Sequence, residues 1–260
     1  MTIVYSVASR KGGVGKSSSS INLSSAFATM GLAGQNKRVL LIDLDPSGNA
    51  TANCGINPET LNDKTAYQVV IGQQDIKDCI VHRDTFDLLP ANSDLAASMT
   101  DFLIMYNQNG KQGEKILDKQ IKSLGDEYDI IIEDNQPSWN KLLFASLISA
   151  DMVLMPIEPA FFSVISLKEM IETINDVQEN FDKILDYRIF LSKYSEQRVI
   201  DRESLNLVKE QVGEKLLQTK IRNNVSISEA SGHFQSIFEY APNSNGAHDY
   251  LSLAKEIISI

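Results

Sequence analysis

A glycine-rich run near the amino terminus carries the clearest chemical pattern in the sequence. Residues 10–17 read RKGGVGKS and lie between an apolar stretch and a helical one. Glycines let the chain turn tightly enough for consecutive backbone N–H groups to face phosphate oxygens, and a helix that begins there attracts the same anion. A lysine and a hydroxyl that follow suit the β- and γ-phosphates and Mg²⁺. The run therefore predicts a nucleotide-binding phosphate loop, with Ser17 at the metal and contacts from Gly12, Gly13, Val14, Gly15, Lys16, Ser17 and Ser18.

A second lysine, Lys11, stands just before the double glycine. Arg10 occupies the position where the ordinary phosphate-loop pattern has its first glycine. Two lysines in one short loop cannot easily share the same face of a γ-phosphate. We therefore expect Lys16 to bind the phosphates of its own subunit and Lys11 to reach a nucleotide held by a partner subunit. A solvated surface charge is the alternative for Lys11.

Acidic residues end two of the apolar runs. Asp43 and Asp45 end the run LLIDLD, and Asp134 ends the run DIIIED. Because a turn begins at Pro46, the Asp45 carboxylate can swing toward the γ-phosphate and orient the attacking water, which is the main task of a phosphoryl-transfer enzyme besides charge neutralisation. The pattern at Asp134 predicts a carboxylate that holds Mg²⁺ through a water. A cap of the Asp-Pro turn is the alternative for Asp45.

The rest of the sequence alternates strand-like and helix-like stretches. Nearly continuous apolar runs predict strands buried on both faces, as in a parallel sheet, at residues 3–8, 39–42, 86–89, 130–132, 152–157 and 189–191. Helices are predicted at 16–30, 113–124, 141–149, 166–180, 202–217 and 247–258. This alternation predicts an α/β fold of the P-loop NTPase type, a doubly wound, mostly parallel sheet with helices on both faces. With no evident linker, residues 1–260 are expected to form a single domain without a separate helix-turn-helix domain.

Composition excludes several classes of protein. The 260 residues include 34 Asp and Glu against 24 Lys and Arg, a formal net charge of −10, so DNA binding by bulk charge is excluded and only a local patch could serve. Cys54 and Cys79 offer neither a disulfide framework nor metal-ligand spacing and are expected to be buried thiols. The sequence contains no apolar stretch of membrane-spanning length and no leader pattern, which predicts a cytoplasmic protein.

Three segments together resemble the ParA/MinD superfamily, and in particular its ParA/Soj partition ATPases. The run KGGVGKS is similar to the deviant Walker A motif of this family, LIDLDPSGNAT at residues 41–51 is similar to its second motif, and residues 224–256 resemble its terminal segment. The resemblance implies slow ATP hydrolysis with Mg²⁺ in a face-to-face homodimer. It implies that Lys11 contacts the nucleotide across the dimer, that Asp45 orients the attacking water, and that Asp43 lies near the water shell of the metal.

The sequence departs from the family pattern at three places. Ser47 replaces a glutamine, residues 135–136 (Asn-Gln) replace the usual Thr/Cys-Pro, and Arg222 stands where a proline packs near adenine. Asn224 still offers an amide to the edge of the base. Residues 135–136 leave open a second interpretation, a nucleotide-dependent switch that does not hydrolyse ATP.

Basic residues concentrate in the carboxyl half of the chain. Residues 183–222 carry nine Lys and Arg against six Asp and Glu, a net charge of +3 that a dimer would double on one surface. The resemblance implies non-specific DNA binding by the ATP-bound dimer and a ParB-like centromere-binding protein that stimulates hydrolysis. We expect Arg198 to contact DNA, with Lys220 and Arg222 as helpers. The location implied is cytoplasmic and nucleoid-associated.

Two other functions share this superfamily. A MinD-like membrane-cycling positioning ATPase would need a basic amphipathic tail. Residues 251–260 carry only Lys255 against Glu256, which predicts no stable membrane association. An iron–sulfur reductase component would need cysteines at a dimer axis, and the two cysteines of this chain lie outside the appropriate motifs.

Overall fold

The computed structural model describes residues 2–30, 37–97, 100–101, 110–160 and 163–260. The strands are β1 (Ile3–Val7), β2 (Val39–Leu44), β3 (Asp87–Leu89), β4 (Ile130–Asn135), β5 (Met152–Ile157), β6 (Asp186–Tyr194) and β7 (Leu216–Arg222). The α-helices are α1 (Lys16–Thr29), α2 (Asn49–Asn53), α3 (Ala66–Val70), α4 (Ile76–Cys79), α5 (Ile116–Ser123), α6 (Lys141–Ser149), α7 (Ser163–Phe181), α8 (Val199–Val212), α9 (Val225–Gly232), α10 (Ile237–Tyr240) and α11 (Asn245–Ile258).

The strands form one parallel sheet, as predicted, in the order β3-β2-β4-β1-β5-β6-β7. The chain begins in the middle at β1, builds outward to β3, returns with β4 between β2 and β1, and continues on the other side with β5 to β7. In open parallel sheets such a reversal opens a crevice at the carboxyl ends of the strands. The glycine-rich loop follows β1 directly, so the fold places it in this crevice.

Helices cover both faces of the sheet, which explains why the strands are apolar throughout. Alternate residues of one strand enter different cores: Leu40 and Ile42 belong to the core that also contains residues of α3, α5, α6, α7 and α8, whereas Val39 and Leu41 belong to the core that contains residues of α1, α9, α10 and α11. In a sheet exposed on one face, half of these positions would be polar.

One predicted helix is wrong over its last five residues. The helix expected at residues 202–217 ends at Val212, and Gly213 follows with a left-handed φ of 54°. Glycine adopts this conformation readily and commonly ends helices. After a 3₁₀ turn the chain forms the edge strand β7, paired in parallel with β6. Leu216 and Leu217 continue the helical pattern of apolar residues beyond the end of the helix. Gly213 is the residue in the sequence that marks this end.

Both cysteines are buried thiols, as predicted. Cys54 is 6% exposed and Cys79 is 2% exposed, and burial raises the pKa of Cys54 to about 12 and that of Cys79 to about 11. Thiols held protonated in this way are weak nucleophiles and metal ligands. Among the described helices, none combines the length and the apolar character needed to cross a membrane.

Candidate nucleotide-binding site

The glycine-rich loop turns from β1 into α1 through two left-handed glycines. Gly13 has a φ of 76° and Gly15 a φ of 84°, conformations that L side chains rarely adopt. A Cβ atom added to Gly12, Gly13 or Gly15 would meet no heavy atom of the described chain within 4 Å. The loop therefore borders open space at these positions, which suits a cradle for phosphate groups.

The start of α1 adds further features that favour an anion. Gly15 caps the helix without a side-chain hydrogen bond, and the first turn, which contains Ser17 and Ser18, has no acidic residue. The first backbone N–H groups of such a helix have no intrahelical partner. Lys16 is 7% exposed, and its Nζ donates to the Lys11 carbonyl at 3.5 Å. Burial lowers the pKa of Lys16, and the nearby charges of Asp134 and Asp45 oppose this shift.

Asp134 suits Mg²⁺ because one of its oxygens lacks a partner. Ser20 Oγ donates to Asp134 Oδ1 at 2.8 Å, whereas the buried Oδ2 has no hydrogen-bond partner among the described residues. Burial raises the pKa of Asp134, against the effects of the Ser17 and Ser20 hydroxyls and of Lys16. Leaving a buried carboxylate oxygen unpaired is unfavourable, and a divalent cation would satisfy it. Asp134 and Ser17 are therefore the residues that would hold Mg²⁺ here.

Asp43 lies beside Asp134 on the adjacent strand, but its hydrogen bonds go to the following loop. Asp43 Oδ2 accepts from the N–H and hydroxyl of Thr51 at 2.8 and 2.7 Å, and Oδ1 accepts from the Asp45 N–H at 3.1 Å. Burial, and then the neighbouring charge of Asp134, raise the pKa of Asp43. Asp43 thus shapes the loop that carries Asp45. Its predicted contact with the water shell of the metal stays a prediction.

Asp45 is half-buried at the start of that loop. Its Oδ1 accepts from the Ser47 N–H at 2.9 Å and from Ser47 Oγ at 2.7 Å, so the side chain caps the turn that begins at Pro46. Its charge also acts on Lys16 and Asp134, so the carboxylate lies near the phosphate loop. Ser47, which replaces the family's glutamine, holds Asp45 in this position. The catalytic role of Asp45 stays a prediction.

Ser20 is a site residue that no sequence motif predicted. It lies four residues after Lys16, on the same face of α1. Its buried hydroxyl is 3.0 Å from the Lys16 carbonyl oxygen and 2.8 Å from Asp134 Oδ1. This contact fixes the orientation of the carboxylate and leaves Oδ2 for the cation. Its spacing of four residues from Lys16, about one helical turn, is the sequence feature from which this contact could have been predicted.

We expect Ser20→Ala to weaken Mg²⁺-dependent ADP binding about tenfold, because ligand-orienting partners typically contribute that much to metal affinity. Calorimetric titration of ADP with and without Mg²⁺ measures the effect. Ser24→Ala is the matched control: Ser24 is equally buried, and its hydroxyl donates to the Ser20 carbonyl at 2.8 Å. Binding by this control should stay within about twofold of the original protein. An equal loss in both variants would contradict the role of Ser20.

Lys11 differs from its neighbour Arg10 in how its charge is compensated. Arg10 Nε lies 3.5 Å from Glu169 Oε2 on α7, which pairs it within its own subunit. Lys11 is half-buried, and no ion pair to its ammonium is formed by the residues that the structure describes. Its cation is thus left available for an anion from outside the subunit.

A pocket of about 650 Å³ lies at the carboxyl ends of β6 and β7. Its lining includes Tyr194, Glu196, Lys220, Arg222 and Asn223, and its volume suits a small ligand. Arg222, the departure from the family's proline, is paired with Asp249, with Nη2 2.6 Å from Oδ1.

Asn224 follows Asn223 of the pocket lining and is the N-cap residue of α9. Its Oδ1 caps the helix by accepting from the Ser226 N–H at 2.9 Å, so the carbonyl oxygen of its side chain is already engaged. Only the amide NH₂ remains as a donor for a base. The contact of Asn224 with the base stays a prediction.

The basic stretch at residues 183–222 does not form one surface, which corrects the expectation of a single +3 patch. Asp186, at the amino end of β6, pairs with both Arg188 and Lys215, whereas Arg198 follows the carboxyl end of that strand. A strand of this length separates the two ends by ~26 Å. The cations of this stretch are divided between the two ends of the sheet because β6 runs from one end to the other.

The three residues expected to bind DNA lie together near that carboxyl end. Arg198 is exposed at the start of α8, and Lys220 Nζ lies 4.6 Å from the centre of the Tyr194 ring. Asp249 largely neutralises Arg222. Of these three cations, Arg198 and Lys220 are the two with which no described residue forms an ion pair, and their binding to DNA stays a prediction.

Asn135, another departure from the family pattern, faces away from the phosphate loop. Its Nδ2 donates to Ser6 Oγ at 3.0 Å, to Ser146 Oγ at 3.0 Å and to the Val7 carbonyl at 3.2 Å, in a buried network beneath α6. Asp134, one residue earlier, points to the opposite face of the sheet toward α1. The substitution at residue 135 thus acts on packing rather than directly on the nucleotide.

Comparisons with known proteins agree with this geometry. A family model described as an AAA domain matches residues 2–187. The sporulation initiation inhibitor protein Soj of Bacillus subtilis is 30% identical over 257 residues, which cover 98% of this chain and 97% of Soj. The chain belongs to the ParA/MinD superfamily. The chromosome-partitioning ATPase Soj of Thermus thermophilus is also 30% identical, over 97% of this chain and 94% of that protein.

A similar protein of known structure has been solved with a nucleotide and a metal bound. Cobyrinic acid a,c-diamide synthase from Mycobacterium smegmatis, with bound ADP and magnesium, is similar at a TM-score of 0.84 and 26% identity, over 99% of this chain and 94% of that one. This ParA/MinD superfamily member is an ATPase of the partition family, and it uses ATP and Mg²⁺.

Proposed function

We propose that this ATPase segregates DNA, as a plasmid or chromosome partition protein of the ParA/Soj type. ATP closes two subunits into a sandwich dimer, the dimer binds DNA without sequence preference, and a ParB-like centromere-binding protein stimulates hydrolysis and release. The protein acts in the cytoplasm, on the nucleoid. The observation that carries this proposal is the Lys11 ammonium, with which no described residue forms an ion pair, beside a loop whose own lysine, Lys16, is buried.

Each lysine has a separate task in the proposed dimer. Lys16, Gly12, Gly13, Val14, Gly15, Ser17 and Ser18 bind the phosphates within one subunit, and the adjacent 650 Å³ pocket receives the nucleoside. Lys11 donates to the phosphates held by the other subunit. The γ-phosphate of ATP is then an anion that both subunits contact, so the dimer forms with ATP. After hydrolysis the attraction between Lys11 and the remaining phosphates is weaker, and the dimer dissociates.

Hydrolysis transfers the γ-phosphoryl group to water. The Asp45 carboxylate orients the water and accepts its hydrogen bond, the water oxygen bonds to the γ-phosphorus, and the bond to the bridging oxygen breaks to give ADP and phosphate. One proton of the water stays on the phosphate and the other passes to solvent. Mg²⁺, when bound, neutralises charge on the phosphate oxygens. Lys16 stabilises the same charge in this proposal.

DNA retention on a filter or a sensor surface tests the proposal directly. With a slow ATP analogue the protein should elute as a dimer from gel filtration and retain DNA of unrelated sequences, and with ADP it should do neither. A partner encoded with the same replicon should raise phosphate release. Retention on liposomes without retention on DNA would favour the MinD-like alternative, and no phosphate release under any condition would favour the non-hydrolysing switch.

Arg198→Ala should lower the DNA affinity of the ATP-bound dimer about tenfold and reduce the slope of log affinity against log salt by about 1.8, since two phosphate contacts are lost per dimer. Lys215→Ala is the control, because Lys215 belongs to the same basic stretch but pairs with Asp186 at the other end of β6. An equal decrease in both variants would assign the effect to net charge rather than to a local contact.

A further inference from the structure

A second strand reaches the phosphate loop from outside it. Ser192 Oγ donates to the Val14 carbonyl at 2.7 Å, and Lys193 Nζ donates to the Gly13 carbonyl at 2.6 Å. Ser192 is buried and Lys193 is exposed, and both lie near the carboxyl end of β6. Two consecutive residues of one strand thus hold two consecutive carbonyls of the loop.

These contacts determine where the loop N–H groups point. In a trans peptide unit the C=O and the N–H lie on opposite sides of the chain. The Gly13 carbonyl shares its peptide unit with the Val14 N–H, and the Val14 carbonyl shares its unit with the Gly15 N–H. Because β6 holds both carbonyls, both N–H groups are turned away from β6. The loop can present them to phosphate oxygens only while the carbonyls keep this direction.

A distortion of β6 makes the double contact possible. Successive side chains of a regular strand point to opposite faces, so Ser192 and Lys193 could not both reach one loop. Here Leu191 pairs with Lys220 and Tyr194 with Arg222, so β6 advances three residues while β7 advances two, which is a β-bulge. Lys193 has a left-handed φ of 52°, which is unfavourable for a lysine. Strained backbone of this kind is concentrated at functional sites.

We infer that Ser192 and Lys193 are positioning residues for the nucleotide phosphates: they hold the Gly13 and Val14 carbonyls so that the Val14 and Gly15 N–H groups face the ligand. The inference rests on the assignment of residues 11–18 as the phosphate cradle, and it does not depend on DNA or on a partner protein. It adds β6 to the elements that build this cradle.

Calorimetric titration with Mg²⁺ and ADP tests the inference. Lys193→Met removes the donor but keeps a long side chain, and it should weaken ADP binding about tenfold, as expected for loss of a hydrogen bond from a charged donor. Ser192→Ala removes a neutral donor and should weaken binding about fourfold, with recovery in Ser192→Thr. Lys37→Met is the control for charge. Lys37 precedes β2 and therefore lies at the amino ends of the parallel strands, whereas the phosphate loop lies at their carboxyl ends.

Lys193→Gly separates positioning from folding. Glycine adopts the left-handed backbone without penalty, so this variant should resist urea at least as well as the original protein while binding ADP about tenfold more weakly. Binding within twofold of the original protein by Lys193→Met and Lys193→Gly would overturn the inference. Unchanged binding by Ser192→Ala would also overturn it, because only a general charge effect of Lys193 would then remain. Failure of the original protein to retain DNA would instead contradict the proposed partition function and leave this inference intact.

Discussion

Asp45→Ala is expected to reduce ATP hydrolysis at least about a hundredfold while the protein still binds ATP, because removal of the group that orients the attacking water raises the barrier to the chemical step alone. The ATP-bound dimer should therefore accumulate and keep its DNA. Phosphate release in single-turnover conditions, followed beside gel filtration of the ATP-bound protein, measures the two effects separately.

A second variant distinguishes this catalytic role from the structural one. In the structure Asp45 Oδ1 accepts two hydrogen bonds from Ser47, and Asp45→Asn retains an oxygen at that position. If Asp45 acts through its charge on water, Asp45→Asn should lose hydrolysis as fully as Asp45→Ala. Normal turnover by Asp45→Asn would show that capping of the turn is its only task. Rapid turnover by both variants would remove Asp45 from the mechanism.

Lys11→Ala is expected to abolish the ATP-dependent dimer, with a loss of at least about a hundredfold in dimer affinity, since each dimer loses two contacts between a cation and a desolvated phosphate anion. ADP binding by the single subunit should change by no more than about threefold, because Lys16 and the loop N–H groups remain. Sedimentation with a slow ATP analogue measures dimerisation, and calorimetry with ADP measures binding by the subunit.

The control for this variant is Lys37→Ala, which removes one positive charge at the amino ends of the strands, away from the phosphate loop. It should dimerise as the original protein does. Normal dimerisation of Lys11→Ala would refute the contact across subunits and favour a solvated Lys11. Loss of ADP binding as severe as the loss of dimerisation would place Lys11 in the cradle of its own subunit.

The phosphate loop and the parallel sheet were predictable because their determinants are local. Glycines at fixed spacing, a lysine and a hydroxyl at the start of a helix, and apolar runs of strand length are each complete within a few residues. The predicted strands and the loop between β1 and α1 accordingly appear where expected. The edge strand β7 was missed because its two leucines continued a helical stripe, and only pairing with β6 decides between the two conformations.

The arrangement of groups around that loop depended on the tertiary structure. Residues that meet there come from distant parts of the chain: Asp134 reaches Ser20, Lys193 reaches Gly13, and Asp249 pairs with Arg222. Each contact depends on strand order, on register and, for Lys193, on a bulge that turns one side chain toward the loop. The sequence alone therefore determined which chemistry the protein performs, since loop conformation follows from residue type. Strand pairing determined which groups orient the metal and the phosphates, because those contacts join residues that no local pattern relates.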